Sequence, residues 1–391
     1  MRLDLGPLSL ARGGHLLLRR ALAAIPVGGS LLVRGDDPEL VSHARALARR
    51  WGSSFAVEGS DVRLGPPEWL GGRWRGAERA GESGAGGVVE APPQTWGLAA
   101  RGAAVEVGAP AFAFRLASRD EVWTQDAGRF YLQAAAAQWD PATAIDWGAN
   151  FELPDEVEDA VVQLMTYLIE NETAALIVPA RFCAQVHPHF REVMQVLAIQ
   201  AADEARHIEV FTRRALLKRS APALSTAGGQ ASLKTLIDEP DFALATFLLS
   251  VLGEGSFLAL LRFLERHAPD PVTAAVARLT AQDEARHVAF GLAHLERHTA
   301  VDPSLLSRLA NAIEGRHDAL RETAGLNEEV FDALLFIAAG GWAPASLQRG
   351  WDAVVSLQAE MDVGRRVRLR RLGFSESEAA RLSGLHTRNF M

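Results

Sequence analysis

The sequence predicts a mainly α chain in which a four-helix bundle with extra helices follows a small α/β two-layer domain. Three observations support this fold class. The first 65 residues alternate strand and helix patterns, nearly everything after residue 150 has helical periodicity, and the pentapeptide DEARH occurs twice in that helical part, at residues 203–207 and 283–287. Each copy places a Glu and a His three positions apart, so both side chains lie on one helix face.

Length, composition and charge restrict the class of protein. The chain has 391 residues, 48% of them hydrophobic, which is enough to bury the cores of two or three domains. Its one cysteine, Cys183, excludes disulfide frameworks and cysteine-ligated clusters, and we expect a cytoplasmic location. The net charge of −8 argues against nucleic acid as a partner. Charges interrupt the apolar runs, so we expect neither a membrane span nor a signal peptide.

Residues 1–65 have the pattern of a small α/β domain. A strand in RLDL, a helix from about Gly14 to Ile25, a strand in SLLVRG, a helix begun by Asp36-Asp37-Pro38, and strands in SSFAVEG and DVRLG follow one another. This order and the stretch AIPVGGSLLVRGDDPELVSHARALARRWG resemble the TusA-like sulfur-carrier family, whose members bear a reactive Cys before the first helix. The corresponding segment GPLS has no Cys. The resemblance therefore implies a structural or docking role rather than sulfur transfer.

The rest of the chain divides into a Gly/Pro-rich linker with short strands over residues 66–119 and a helical domain over 120–391. Four long helices joined by short or medium connections suit an antiparallel bundle. They are predicted at about 155–182, 189–219, 241–267 and 271–299, with further helices near 303–322, 327–340 and 345–372.

The two DEARH copies supply Glu204 with His207 and Glu284 with His287 as candidate metal ligands. One such pair alone is most often part of a solvated, salt-bridged helix face, whereas two identical copies with inward carboxylates nearby are typical of a metal site.

Two further glutamates complete the set. Glu172 falls among the apolar residues of the first long helix, on its inward face, whereas Glu170 falls on a different face and is the alternative ligand. Glu254 is the only ionisable residue in the apolar run LATFLLSVLGEGSFLALL. Burial of such a carboxylate requires a proton, an arginine partner or a metal.

One Glu from each of two helices, with Glu-x-x-His from each of the other two, is the ligand pattern of di-iron and di-manganese bundles. Four carboxylates neutralise two divalent ions, and the imidazoles add nitrogen donors that suit iron, whereas oxygen ligands alone would favour magnesium or calcium. We therefore expect two iron ions, with an Mn/Fe pair as the alternative.

The remaining letters of DEARH predict a layer of support around the ligands. Asp203 and Asp283 lie four residues before the histidines and would accept the imidazole N–H, either within a helix or across the bundle. Arg206 and Arg286 would pair with these aspartates or with bridging carboxylates, and we favour the aspartates.

Gly253 and Gly255 flank Glu254, which predicts either a helix irregularity that opens a coordination position or two close-packing glycines. We expect apolar residues near the ligands to line a substrate cavity. The candidates are Leu168, Phe211, Val251, Phe257 and Leu258.

Residues 150–300 resemble the ferritin-like di-iron carboxylate oxidase and oxygenase superfamily. Phe211 occupies the place of the radical-forming tyrosine of ribonucleotide reductase subunits, and Thr280 that of the third histidine of arylamine N-oxygenases. A rubrerythrin would need a Cys-rich domain that this chain does not have. The resemblance thus implies a non-haem di-iron oxidoreductase that uses O2 and an external electron donor on a small organic substrate.

Two other functions stay open at this stage. The first is a ferroxidase or O2- and peroxide-scavenging protein without an organic substrate, for which a carboxylate-lined route to the metals would argue. The second is a partner-binding protein in which the N-terminal domain docks another protein. A homodimer is also compatible with the sequence.

Overall fold

The computed structural model describes residues 1–26, 28–67, 76–82, 85–320 and 328–385. The chain forms two compact units, of which the first comprises Met1–Gly87 and Pro93–Phe112 and the second Val88–Pro92 and Ala113–Met391. The segment 66–119, expected to be a linker, is thus shared between the two units. The predicted fold class, mainly α with a small α/β portion, is confirmed.

The first unit contains a four-stranded sheet and two helices. Its elements are β1 (Arg2–Asp4), α1 (Gly14–Ala23), β2 (Leu31–Arg34), α2 (Leu40–Trp51), β3 (Phe55–Glu58), β4 (Asp61–Leu64) and a short antiparallel pair, β5 (Glu78–Arg79) with β6 (Ala104–Val105). The strand order in the sheet is β1-β2-β4-β3. β1 and β2 are parallel, and β4 pairs antiparallel with both β2 and β3. Apolar residues from α1, α2, β2 and β4 form the core of this unit.

In the part that the structure describes, the regular elements of the second unit are all helices, apart from one isolated bridge between Leu116 and Val186. Its long helices agree with the predicted ranges to within a few residues, and one additional helix lies in the connection after the second long helix. The helices are α3 (Arg119–Val122), α4 (Ala127–Ala136), α5 (Asp155–Cys183), α6 (Arg191–Ala215), α7 (Ala227–Ile237), α8 (Phe242–Thr246), α9 (Gly255–His267), α10 (Pro271–Val301), α11 (Leu305–Leu320), α12 (Glu328–Ala339), α13 (Pro344–Arg371) and α14 (Glu376–Gly384).

The four-helix bundle consists of two helix pairs. α5 packs along α6, α9 packs along α10, and the pairs meet where α6 contacts α10. α10 begins sharply because Asp270 accepts a hydrogen bond from the Thr273 N–H (2.8 Å) and Pro271 occupies the first turn.

A buried ion network fixes the ends of these helices relative to one another. Arg214, at the end of α6, donates to both carboxylate oxygens of Glu158 at the start of α5 (2.6 and 2.9 Å) and to Asp270 before α10 (2.8 Å). Arg214 is fully buried. Its charge is thus balanced by two acids from two other helices, and the three ends are held in one geometry.

Between α8 and α9 the chain forms a π-helix over Phe247–Glu254, so the third long helix is irregular just where the sequence places glycines. Gly255 is also a close-packing glycine, because a Cβ there would overlap the side chain of Arg368. The irregularity adds a residue to the turn that ends at Glu254, which changes the direction in which this side chain leaves the helix.

Two helical stretches, Asp155–Cys183 and Phe242–His267, are long and apolar enough to cross a membrane by length and composition, and the bent pair Glu328–Ala339 and Pro344–Arg371 would be a third if it acted as one span. The apolar windows of the first two are 67% and 78% buried inside the protein, which accounts for much of their apolarity. The absence of a membrane span stays a prediction.

Candidate metal centre

The six predicted ligands converge at the centre of the bundle. Glu172 comes from α5, Glu204 and His207 from α6, Glu254 from the end of the π-helix, and the last two, Glu284 and His287, from α10. None is more than 4% exposed. The i, i+3 spacing within each DEARH copy puts Glu and His on the same inward face, which is how two short motifs fill the site from two helices.

The imidazole of His207 faces three of the carboxylates. Its Nδ1 lies 3.0 Å from Oε2 of Glu204, 3.2 Å from Oε1 of Glu284 and 3.4 Å from Oε2 of Glu172. One nitrogen and three carboxylates from three helices thus surround one position.

The imidazole of His287 has the corresponding surroundings on the other side. Its Nδ1 lies 3.0 Å from Oε1 of Glu204, 3.5 Å from Oε2 of Glu284 and 3.9 Å from Oε1 of Glu254. Glu204 and Glu284 therefore turn one oxygen towards each histidine. Two overlapping ligand groups result, in which the donor atoms lie within 4.8 Å of one another: Glu172, Glu204, His207 and Glu284, and Glu204, Glu254, Glu284 and His287.

The donor atoms of this cluster fit two divalent ions. One oxygen of Glu172, one of Glu204, one of Glu254 and both of Glu284 are buried without a hydrogen bond, as is Nδ1 of His287. Buried polar atoms normally have partners, and carboxylates that lack them are costly. Two divalent cations would supply the missing partners and balance four carboxylates, with nitrogen and oxygen donors that suit iron or manganese.

Burial and mutual interactions shift the pKa values of the acids and histidines in the cluster. Burial raises the pKa of Glu172 and of Glu254 well above the usual range, and nearby carboxylates raise it further. Burial alone would also raise the pKa of Glu204, but His287 and His207 hold it well below its usual value. The surrounding acids raise the pKa of both histidines despite burial. Metal binding would therefore displace protons from the cluster.

The aspartates of the two DEARH copies hold the histidines of the opposite copy. Nε2 of His207 donates to Asp283 (3.2 Å), and Nε2 of His287 donates to Asp203 (3.2 Å). Because an ionised carboxylate only accepts hydrogen bonds, this pairing keeps a proton on Nε2, so that Nδ1 is the nitrogen that would give up its proton and bind a cation. Of the two arrangements considered from sequence, the structure has the one across the bundle.

The arginines of both copies pair with these aspartates. Arg206 donates to Asp203 (2.6 Å) and to Asp283 (2.7 Å), and Arg286 donates to Asp283. The guanidinium charges lower the cost of burying two acids beside the histidines. Burial opposes ionisation of Asp283, but His207, with Arg206 and Arg286, holds its pKa well below the usual range.

Three residues that the sequence reading did not single out complete the network. Gln138 donates to Asp203 (2.7 Å), and the indole N–H of Trp139 donates to Asp283 (2.8 Å). Gln200 donates to Glu254 (2.9 Å). Gln200 lies one turn before Glu204 on the same helix face, so its position could have been noticed. Gln138 and Trp139 follow α4, in a stretch whose sequence gives no such signal.

A small cavity of about 30 Å³ adjoins the cluster. Glu172, Glu254 and Glu284 form its metal-facing side, and its other walls are mainly apolar. The remaining lining residues are Asn171, Ala175, Leu233, Leu236, Leu248, Leu249, Gly253, Phe257 and Arg316.

The lining of this cavity differs from the expected one. Phe257 lines it, whereas Leu168, Phe211 and Val251 are fully buried in the hydrophobic core of the helical unit. Leu258 lies instead in a surface groove between α9 and α13. Residues from α7, α11 and the π-helix line the cavity instead, because the cavity lies on the side of the bundle that α7 and α11 cover.

No model of a protein family matches the chain, and no curated protein is similar to it. Solved structures of R2-like ligand-binding oxidases align with it. A variant with an anaerobically reconstituted Mn/Fe cofactor is 18% identical with a TM-score of 0.47, over 65% of this chain and 95% of that one. A variant with an Fe/Fe cofactor is 16% identical with a TM-score of 0.46, over 65% and 95%. The oxidase from Sulfolobus acidocaldarius is 15% identical with a TM-score of 0.39, over 64% and 92%. At this level of similarity, what those proteins bind or do does not transfer to this chain.

Proposed function

We propose that the protein is a dinuclear-metal oxidase or oxygenase of the ferritin-like di-iron carboxylate type, which activates O2 and oxidises a small organic substrate. One observation carries the proposal: two ligand groups share Glu204 and Glu284 and adjoin a mainly apolar cavity. A purely structural role would leave the buried, unsatisfied oxygens of four glutamates unexplained.

The cofactor we propose is a pair of iron ions, with an Mn/Fe pair as the alternative. Glu172 and His207 would serve one ion, Glu254 and His287 the other, and Glu204 and Glu284 both. Such a pair supplies electrons to O2, a reaction that no protein side chain performs alone. The substrate would supply two of the four electrons that reduce O2 to water, and an external donor would return the other two to the metal pair in each turnover.

The chain's own residues supply orientation and a dry site. Asp203 and Asp283 fix the tautomer and plane of the two imidazoles from across the bundle. Leu248, Leu249 and Phe257 exclude water from the side where a substrate would lie. Glu254 ends a π-helix, and this irregular backbone gives its carboxylate more freedom to change position than a regular helix would.

The apolar lining favours this function over a ferroxidase without an organic substrate. The carboxylates that line the cavity are the cluster residues Glu172, Glu254 and Glu284. A route for iron ions would be expected to carry further acids, whereas leucines and Phe257 suit an organic molecule.

Metal analysis followed by reaction with O2 tests the proposal. The metal-free chain is loaded anaerobically with two equivalents of Fe²⁺ and mixed with O2 while absorbance and O2 consumption are recorded. We expect about two ions per chain, rapid O2 uptake and new absorption from the oxidised centre. Two bound ions without O2 uptake would contradict oxygen activation, and fewer than two would contradict the dinuclear centre itself. Continuous O2 uptake at the expense of added Fe²⁺ would identify a ferroxidase instead.

A further inference from the structure

Arg368 of α13 is a buried arginine that contacts the π-helix beside the metal centre. Its side chain is 9% exposed, and its Nε donates a hydrogen bond to the carbonyl of Val251 (2.7 Å). Val251 lies three residues before the candidate ligand Glu254, in the turn of the π-helix that ends there.

The carbonyl that Arg368 binds lies where the hydrogen bonding of the helix departs from the α pattern. In a regular α-helix the carbonyl of Val251 would accept from the N–H of Gly255. Here the N–H of Gly255 is directed to the carbonyls of Leu252 and Gly253 instead. The guanidinium of Arg368 therefore donates to a carbonyl that has lost its α-helical donor.

Two glycines make room for this guanidinium. A Cβ on Gly255 would overlap the guanidinium of Arg368, and a Cβ on Gly364, one turn before Arg368, would lie 3.0 Å from Nη1. The side chain therefore fits between α9 and α13 only because both helices carry a glycine at the point of contact.

The position is costly for the protein. Burial and the neighbouring Arg365 together lower the pKa of Arg368 to about 10. One of its terminal nitrogens is buried without a hydrogen bond. In a regular α-helix this carbonyl would not need a side-chain donor, so the cost is linked to the irregular backbone that ends at Glu254.

We propose that Arg368 is a positioning residue for Glu254: it stabilises the π-helix and thereby sets the affinity of the metal position that Glu254 serves. The inference rests on the proposed dinuclear centre. Loss of Arg368 should affect only one of the two metal positions, because Glu254 belongs to the ligand group of His287 and not to that of His207.

Titration of the metal-free full-length chain with Co²⁺ tests this role, with visible absorbance reporting the coordination of each ion. We expect Arg368→Gln to lower the affinity for one of the two Co²⁺ ions by about tenfold or more, the range typical of residues that orient a ligand. The affinity for the other ion should stay nearly unchanged. Glu254→Gln should lower the affinity for the same ion and so identifies it, whereas Glu172→Gln should lower the affinity for the other ion. Arg368→Lys, which can still donate to the Val251 carbonyl, should weaken binding less.

Arg365→Gln is the matched control. Arg365 lies three residues before Arg368 on the same helix and is 8% exposed. It donates a hydrogen bond to Ser383 rather than to the π-helix. Its loss should leave both Co²⁺ affinities unchanged. Gly255→Ala provides a second route, because the added methyl group displaces the guanidinium without removing its charge. It should reproduce the effect of Arg368→Gln in a chain that keeps its helix content.

The outcomes separate this role from the metal centre itself. If Arg368→Gln and Gly255→Ala lower the affinities for both ions equally, or leave both affinities unchanged, the positioning role is wrong while the dinuclear centre stands. A wild-type chain that binds fewer than two Co²⁺ ions would overturn the centre, and this role with it. A wild-type chain that binds two ions and shows the selective weakening, yet consumes no O2, would contradict only the proposed reaction.

Discussion

At the scale of single residues, burial and direction decide which of two neighbouring glutamates serves the cluster. Glu172 is 2% exposed and its carboxylate lies 3.4 Å from the imidazole of His207, whereas Glu170 is only partly buried. The two differ by two positions, which on a helix is about half a turn, so they cannot face the same ions.

We expect Glu172→Gln to reduce bound iron from two ions to about one per chain, since an amide removes the negative charge from one ligand group while the other keeps all four of its members. Glu170→Gln is the matched control and should keep two. Iron content measured by elemental analysis decides the point; loss of iron in the Glu170 variant alone would reverse the assignment.

A second residue-scale prediction concerns pH. His298 is 6% exposed, and burial and the nearby Arg297 together lower its pKa to about 4 although Asp120 opposes this. A histidine whose pKa is lower in the folded than in the unfolded chain adds stability above pH 6.5, and this is lost as the pH falls towards 4. Between pH 7 and 4.5 this one group should cost about 2 to 3 kcal/mol of the free energy of unfolding.

The measurement compares the wild type with His298→Gln by urea unfolding at both pH values. Glutamine does not titrate, so the variant should lose less stability on acidification by about that amount. Titrating groups that do not contact His298, including those of the cluster, contribute equally to both chains. Identical losses in the two proteins would show that His298 keeps its ordinary pKa.

At the scale of elements, charged residues hold the helix ends in place, and their burial determines how much each contributes. Arg214 and Arg219 both connect the C-terminal side of α6 with the start of α5. Arg214 is fully buried among Glu158 and Asp270, whereas the side chain of Arg219 is 29% exposed and pairs with surface aspartates.

Arg214→Met should therefore lower the free energy of unfolding by about 3 to 5 kcal/mol, because two buried acids would lose their counter-charge. Arg219→Met should cost less than about 1 kcal/mol, as is usual for exposed ion pairs. Urea unfolding of both variants tests the difference. Similar losses for the two would mean that the buried network contributes no more than a surface pair.

At the scale of the whole molecule, all six cluster residues and both aspartates belong to the second compact unit. That unit also includes residues 88–92, since the N–H of Val89 donates to Nε2 of His189 (2.9 Å) and the carbonyl of Glu90 accepts from the N–H of Arg119 (2.7 Å). A self-sufficient metal-binding part should start there rather than at residue 120.

We expect a truncated chain that starts at Val88 to load two iron ions, because no proposed ligand lies before that residue. Circular dichroism checks that the bundle forms, and elemental analysis counts the ions. If the truncated chain is helical yet binds no iron, a ligand or a route for the metal must come from the first 87 residues.

What the sequence could predict follows from local geometry. The convergence of Glu204, His207, Glu284 and His287 depends on helical periodicity, and that of Glu172 and Glu254 on their apolar neighbours, all of which are visible in the chain. The contacts of Trp139 are not, since its reach to Asp283 depends on how a non-periodic segment packs against the bundle. The cavity lining depends on helices outside the four that carry the ligands, and the π-helix on the buried Arg368 more than one hundred positions away.

Because the pairing of aspartates and histidines is crossed, each DEARH copy depends on the other for the orientation of its histidine. Asp203 of the first copy holds the histidine of the second, and Asp283 of the second holds the histidine of the first. Replacement of either aspartate therefore affects the histidine of the other copy rather than that of its own. A helix pair with a single DEARH copy would leave its histidine without this acceptor until a second copy packed against it.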